Sequence, residues 1–121
     1  MHGIYATYFS QPISQLSEQL KEEARKDPEY NFLWQQMEED QKQGKPSEYG
    51  SNEEQMLTFR GRTYVPNCAS LKGLILDEYH RSNYAGHPGY QKMLSAIRKI
   101  YYWPGMRRDI AEYLSKCLEC Q

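Results

Sequence analysis

Tyr79-His80-Arg81-Ser82-Asn83-Tyr84-Ala85-Gly86-His87-Pro88-Gly89, followed further along by Cys117-Leu118-Glu119-Cys120-Gln121, is the part of the chain whose reading decides its fold. Two histidines are separated by six residues, and after twenty-nine more residues come two cysteines separated by two. Two thiolates at that separation close on one metal through a tight turn or a helix end. Soft sulfur with borderline imidazole in a closed four-ligand set favours Zn2+ over Mg2+ or Ca2+. A single histidine is ordinarily a surface or core residue. Here, however, two of the three histidines and two of the three cysteines fall into one metal-binding spacing. His80, His87, Cys117 and Cys120 are therefore expected to share one structural zinc ion. With all four positions filled by protein, no place is left for an activated water, which argues against a zinc hydrolase.

The segments around these ligands read as three short helices. Ser70 is placed to cap the first, which carries Leu71, Leu74, Ile75 and Tyr79 and ends near His80. Residues 90–101 show a second apolar stripe of Met93, Leu94, Ile97, Ile100 and Tyr101. Trp103-Pro104-Gly105 turns the chain into a third helix marked by Met106, Ile110, Tyr113, Leu114 and Cys117. The last two helices, joined through that Pro-Gly turn, suggest a helix-turn-helix-like arrangement. Some fifty residues in three helices bury little apolar surface, so a zinc worth on the order of 10 kcal/mol would be what holds them folded.

Upstream, Ile13, Leu16, Leu20 and Ala24 recur at helical spacing from Pro12 to Lys26. Asp27-Pro28 stops that helix and opens another, because aspartate caps free N–H groups and proline suits only a first helical turn. This second helix runs to about Gln43 with Tyr30, Leu33, Trp34 and Met37 as its stripe. Gly44 to Glu53, rich in breakers, reads as a loop. Met56 to Pro66 reads as two short strands pivoting on Arg60-Gly61 and ended by Pro66. The expected fold is thus mainly α with one small β-hairpin: a helical N-terminal extension over 1–66 and a three-helix, zinc-stabilised bundle over 67–121.

Composition bounds the function. With 39% hydrophobic and 26% charged residues, the 121-residue chain falls within the globular range. It has no apolar run approaching the roughly 20 residues of a membrane span and no secretory signal pattern. A soluble, intracellular protein without a membrane or small-molecule partner is expected. Three cysteines, an odd number, fit metal binding better than a secreted disulfide framework. The leftover Cys68 reads as a small, partly buried apolar residue. Residues 1–60 carry six Lys/Arg against eleven Asp/Glu and residues 61–121 nine against five, so an acidic front precedes a basic back. That asymmetry suggests a polyanion partner for the back half.

Tyr79-His80-Arg81-Ser82, Ala85-Gly86-His87-Pro88-Gly89, Tyr101-Tyr102-Trp103-Pro104-Gly105-Met106, Asp109-Ile110, Tyr113 and Cys117-Leu118-Glu119-Cys120-Gln121 together closely resemble the zinc-binding N-terminal domain of gypsy-type retrotransposon integrases, related to retroviral ones. The resemblance covers about residues 56–121 and includes Tyr64-Val65-Pro66. Met93 stands where many relatives have threonine, a change that trades a hydroxyl for apolar volume away from the metal ligands. Residues 1–55 carry no motif of the family and resemble, by position, either the tail of an N-terminal extension domain or the link from the preceding ribonuclease H region of the polyprotein.

The resemblance implies a parent that inserts element DNA into a host genome, as part of a transposable element's Pol polyprotein. The acidic catalytic triad lies beyond the Cys-Xaa-Xaa-Cys-Gln segment in the family. The present chain is therefore expected to be a non-catalytic front portion that helps bind element ends and assemble a homo-oligomer. The implied location is the nucleus and cytoplasmic particles. Arg81, Lys92, Arg98, Lys99, Arg107, Arg108 and Lys116 supply cations for DNA phosphates, and Arg107 and Arg108 stand out because they open a helix whose N-terminus favours anions. The rival reading is a self-association or protein-interaction zinc module, including one kept by a host gene derived from such an element.

Overall fold

The computed structural model of the chain describes residues 16–82 and 89–116. Its first two helices meet at the corner marked by Asp27 and Pro28. Helix α1 covers residues 16–26 and α2 spans Pro28–Lys42. Asp27 caps α2, its Oδ1 accepting from the N–H of Glu29 at 3.0 Å and of Tyr30 at 3.3 Å. Its Oδ2 accepts from the N–H of Asn67 at 2.8 Å, so the same carboxylate ties α2 to the chain entering the third helix. Asn31 Nδ2 donates back to the carbonyls of Ala24 at 3.3 Å and Asp27 at 2.9 Å, satisfying groups that the end of α1 leaves open. Leu20, Ala24, Tyr30 and Met37 are buried and Leu16, Leu33 and Trp34 pack beside them, as the helical spacing predicts. Ile13 lies outside the described residues.

The hairpin is present and is the centre of a larger sheet. Strands β1 (Tyr49–Ser51), β2 (Leu57–Phe59), β3 (Arg62–Tyr64) and β4 (Tyr101–Tyr102) lie in that order. The first two pairings are antiparallel and the last is parallel. Arg60 and Gly61 both take positive φ, 52° and 83°, the requirement of a tight two-residue turn whose twist matches the strands. Two strands were not expected. β1 sits inside Gly44–Glu53, where glycine and serine hide any strand propensity. It forms because β2 offers it a hydrogen-bonding edge and Tyr49 packs on Phe59 at 5.1 Å between ring centroids. β4 falls at the end of the stripe read as helical over 90–101. There the β-prone Ile100-Tyr101-Tyr102 run pairs with β3 instead, Thr63 N–H donating to the Ile100 carbonyl at 2.8 Å and Val65 N–H to the Tyr102 carbonyl at 2.9 Å.

Helices α3 (Ala69–Ser82), α4 (Tyr90–Ile97) and α5 (Met106–Ser115) complete the fold. Ser70 stands in the first turn of α3 rather than ahead of it, because the helix opens on the carbonyl of Cys68, which accepts from Lys72 N–H at 3.1 Å. Leu71, Ile75 and Leu76 are buried, whereas Leu74 falls on the flank at 47% exposure. Ile100, beyond the end of α4, is 50% exposed. Cys68 is half-buried against the core, as expected. Between α4 and α5 the chain runs from Arg98 to Gly105 through β4, a longer connection than Pro-Gly alone. Trp103 is fully buried there and its Nε1 donates to Asp109 Oδ2 at 2.8 Å. Gly105, at φ 84°, makes the left-handed step into α5 that a side chain would resist. One core cluster runs from Leu20 through Ile110 and joins the helices, the sheet and the bundle. Among the described residues, no helix is long and apolar enough to cross a membrane.

Replacing Asp27 by alanine removes the α2 cap together with its bond to Asn67. A loss of about 1–2 kcal/mol is expected, read as a lower urea midpoint at unchanged slope. An unmoved midpoint would show that the cap contributes nothing.

The tyrosines of the core give the fold an alkaline limit. Burial, more than neighbouring charge, pushes Tyr101 up to about 12 and raises Tyr64 and Tyr30 as well. Unfolded tyrosine titrates near pH 10, so the stability held in these phenols is full below about pH 10 and falls as pH rises through the folded values. Unfolding accompanied by tyrosinate absorbance is expected between about pH 10 and the value near 12 for Tyr101. Tyr101→Phe should move that transition upward.

Candidate metal centre

His80 is set on α3 by the same stripe that buries Leu76 and shields Tyr79. It is 5% exposed, which is unusual for a polar ring near a helix end. The Tyr113 ring of α5 stands edge-on against the imidazole, with centroids 5.3 Å apart and planes at 81°. The Tyr113 hydroxyl donates to Asp77 Oδ1 at 2.5 Å, and Asp77 precedes His80 by three residues on the same helix face. Asp77, His80 and Tyr113 thus form one contact set that closes α3 on α5. Further interactions of these three residues exist beyond the two just given.

His87, Cys117 and Cys120 lie outside the described residues, so the structure places one of the four expected ligands. No group of three or more His, Cys, Asp or Glu with metal-holding geometry occurs among the described residues. What is described fits a zinc ligand: a buried imidazole, oriented by an aromatic ring that a carboxylate holds in place. Tyr113 touches His80, and Cys117 follows Tyr113 by four residues in the chain. Asp77 went unnoticed in the sequence; its spacing of three from His80 on a helix was the available signal.

The expected DNA-contacting cations are only partly gathered. Lys92, Arg98, Lys99, Arg107, Arg108 and Lys116 are all exposed, on α4, its C-terminal turn, the first turn of α5 and the C-cap of α5. The Arg81 side chain lies outside the described ones. Arg108 leans on Asp109 at 3.5 Å, which spends part of its charge locally. Arg98 and Arg107 line one cleft, in which the fold also places Arg60 and Arg62 of the hairpin. Those two arginines were missed because nothing in the sequence links the hairpin to the basic helices.

Among the described residues the module is a set of short helices closed around a buried histidine, and the sequence continues into Cys117-Leu118-Glu119-Cys120. Residues 65–121 match the family model of the integrase zinc binding domain. Similar proteins include the Transposon Tf2-3, Tf2-4 and Tf2-5 polyproteins of Schizosaccharomyces pombe. Each is 29% identical over 66 residues, which is 54% of this chain and 5% of the polyprotein. The chain therefore spans a small fraction of the length of the curated relatives it matches. No solved structure matches. The resemblance to transposon integrases read from the motifs is borne out.

Asp77→Ala removes the carboxylate that fixes Tyr113 against His80. A stability loss of about 1–3 kcal/mol is expected from urea melts, and zinc affinity should fall about tenfold in competition with a chromophoric chelator. Unchanged zinc affinity in a folded variant would exclude an orienting role for the pair.

Proposed function

We propose that the chain is a non-catalytic, zinc-stabilised front portion of a transposon integrase that assists element-end DNA binding and integrase multimerisation in the nucleus. The observation that carries this reading is the family match over residues 65–121 with His80 buried where α3 meets α5. One zinc is held by His80, His87, Cys117 and Cys120. When bound, it supplies a closed structural crosslink between the end of α3 and the end of α5. The chain's own residues do the rest: Asp77 and Tyr113 orient the imidazole, and the apolar stripes bury the faces that the metal brings together. Exposed cations on α4 and α5 supply phosphate contacts whose strength falls with salt.

An interaction module is the second reading. It is favoured by the acidic first half of the chain and by Phe32, which is 59% exposed on α2.

Titrating the zinc-loaded chain into labelled element-end duplex across a salt series tests the proposal. Binding should weaken linearly in log salt, Arg107→Glu with Arg108→Glu should flatten that slope, and a strong chelator should abolish both binding and part of the helical circular dichroism. Full helicity and full affinity in metal-free protein would refute it. DNA affinity insensitive to the arginine swaps, with dimers lost on deleting residues 1–55, would favour the interaction module.

A further inference from the structure

The hairpin and the α4–α5 connection enclose a cleft of about 300 Å³. Four guanidinium groups line it: Arg60 and Arg62 from the hairpin, Arg98 from the end of α4, and Arg107 from the first turn of α5. No carboxylate is among the lining residues. Arg60 pairs with Glu48, while Arg62, Arg98 and Arg107 have no carboxylate partner among the described residues. The three guanidinium groups without a carboxylate partner repel one another across the concavity, and an anion entering from solvent relieves that repulsion.

Arg62 is held ready for one. Its guanidinium lies 5.5 Å from the Tyr102 ring centroid and 5.9 Å from that of Phe59, and its Nη1 donates to the Arg98 carbonyl at 3.3 Å. A fork fixed in this way leaves most of its donors available and loses little entropy on binding. Phe59 and Tyr102 are stacked beneath it, with centroids 4.4 Å apart and planes at 31°, and both remain partly exposed. Cations tracking a backbone beside aromatic faces are how proteins hold unpaired nucleic acid. The volume is at the small end of ligand-sized clefts and cannot admit a duplex.

We propose that this cleft binds an unpaired nucleotide of a nucleic-acid strand, with its phosphate on the four arginines and its base against Phe59, Tyr102 and the Arg62 plane. The proposal deepens the DNA-binding reading above. It assigns the hairpin, which precedes the family-matched residues, a direct part in recognition.

Three labelled probes of one sequence test it with the zinc-loaded chain: a blunt duplex, the same duplex with a short unpaired overhang, and the single strand. The overhang probe is expected to bind about tenfold more tightly than the blunt one. Arg60→Gln with Arg62→Gln, both outside the expected duplex-contacting set, should remove that preference, lower the salt slope for the single strand by about 0.7 per arginine, and leave the blunt duplex within about threefold. Phe59→Leu should weaken overhang binding with the salt slope unchanged, as lost stacking requires; circular dichroism confirms that each variant folds. Equal affinity for blunt and overhang probes, or equal losses on both in the arginine variant, overturns the cleft while leaving duplex binding intact. So does a glutamate-rich peptide that binds through the same arginines when the overhang does not. Absence of blunt-duplex binding with overhang binding retained would instead refute the element-end duplex reading and uphold the cleft.

Discussion

Two backbone hydrogen bonds, from Thr63 to the Ile100 carbonyl and from Val65 to the Tyr102 carbonyl, hold the front of the chain to its back. Because β3 and β4 run parallel, the chain between them must cross over, and α3 and α4 make that crossover. The pairing also brings Trp103 into the core, where its indole N–H finds Asp109 and sets the first turn of α5. The family-matched stretch begins at residue 65, just after the last residue of β3, so the strand that β4 pairs with comes from the preceding segment. The hairpin is a structural neighbour of the zinc module and shares its core.

Much of this was legible in the sequence because the signals were local. Asp27-Pro28, Arg60-Gly61 and Trp103-Pro104-Gly105 each encode a backbone event in two or three residues, and each occurs where the sequence marks it. The amphipathic stripes of α2 and α5 were equally plain, since Met37 and Ile110 sit in the register that burial demands. What escaped was non-local. β1 and β4 are three- and two-residue strands whose existence depends on an edge supplied from elsewhere in the chain, and Tyr101 looked like the next step of a helical stripe until β3 offered it a partner. Half of the site was hidden for the same reason. The histidine and cysteine spacing marks the expected ligands, but the Tyr113 contact to His80 arises only when α5 folds back on α3. The expected ligands His87, Cys117 and Cys120 lie outside the described residues.

The bundle is secured at its two ends by different means. At one end the sheet grips the α4–α5 connection, and Trp103 fills the space below it. At the other, Tyr113 bridges α5 to Asp77 and His80, close to where the proposed zinc would close the module. A short helix such as α5, ten residues long, gains little from propensity alone and needs both anchors. Buried tyrosines recur at these joints: Tyr30 accepts from the Leu57 N–H at 2.7 Å, Tyr64 packs edge-on against Tyr30, and Tyr101 meets Tyr79. Phenols suit a small core because they bring large apolar area together with a polar tip that can reach a backbone or carboxylate group.

Charge, finally, is distributed by the fold and not by position along the chain. Counted in halves, residues 1–60 are acidic, and Arg60 is submerged in that total. The strand order β2-β3-β4 carries Arg60 and Arg62 across to Arg98 and Arg107, so the local density of positive charge is higher than any window of sequence reveals. The arginine stems can be crowded there because rings support them: Arg60 and Arg62 both lie over Phe59, and Arg62 also over Tyr102. Attraction to the ring faces and, for Arg60, the Glu48 carboxylate offset part of the mutual repulsion. Glu48 answers the charge of Arg60 alone, so Arg62, Arg98 and Arg107 keep theirs without a carboxylate partner among the described residues.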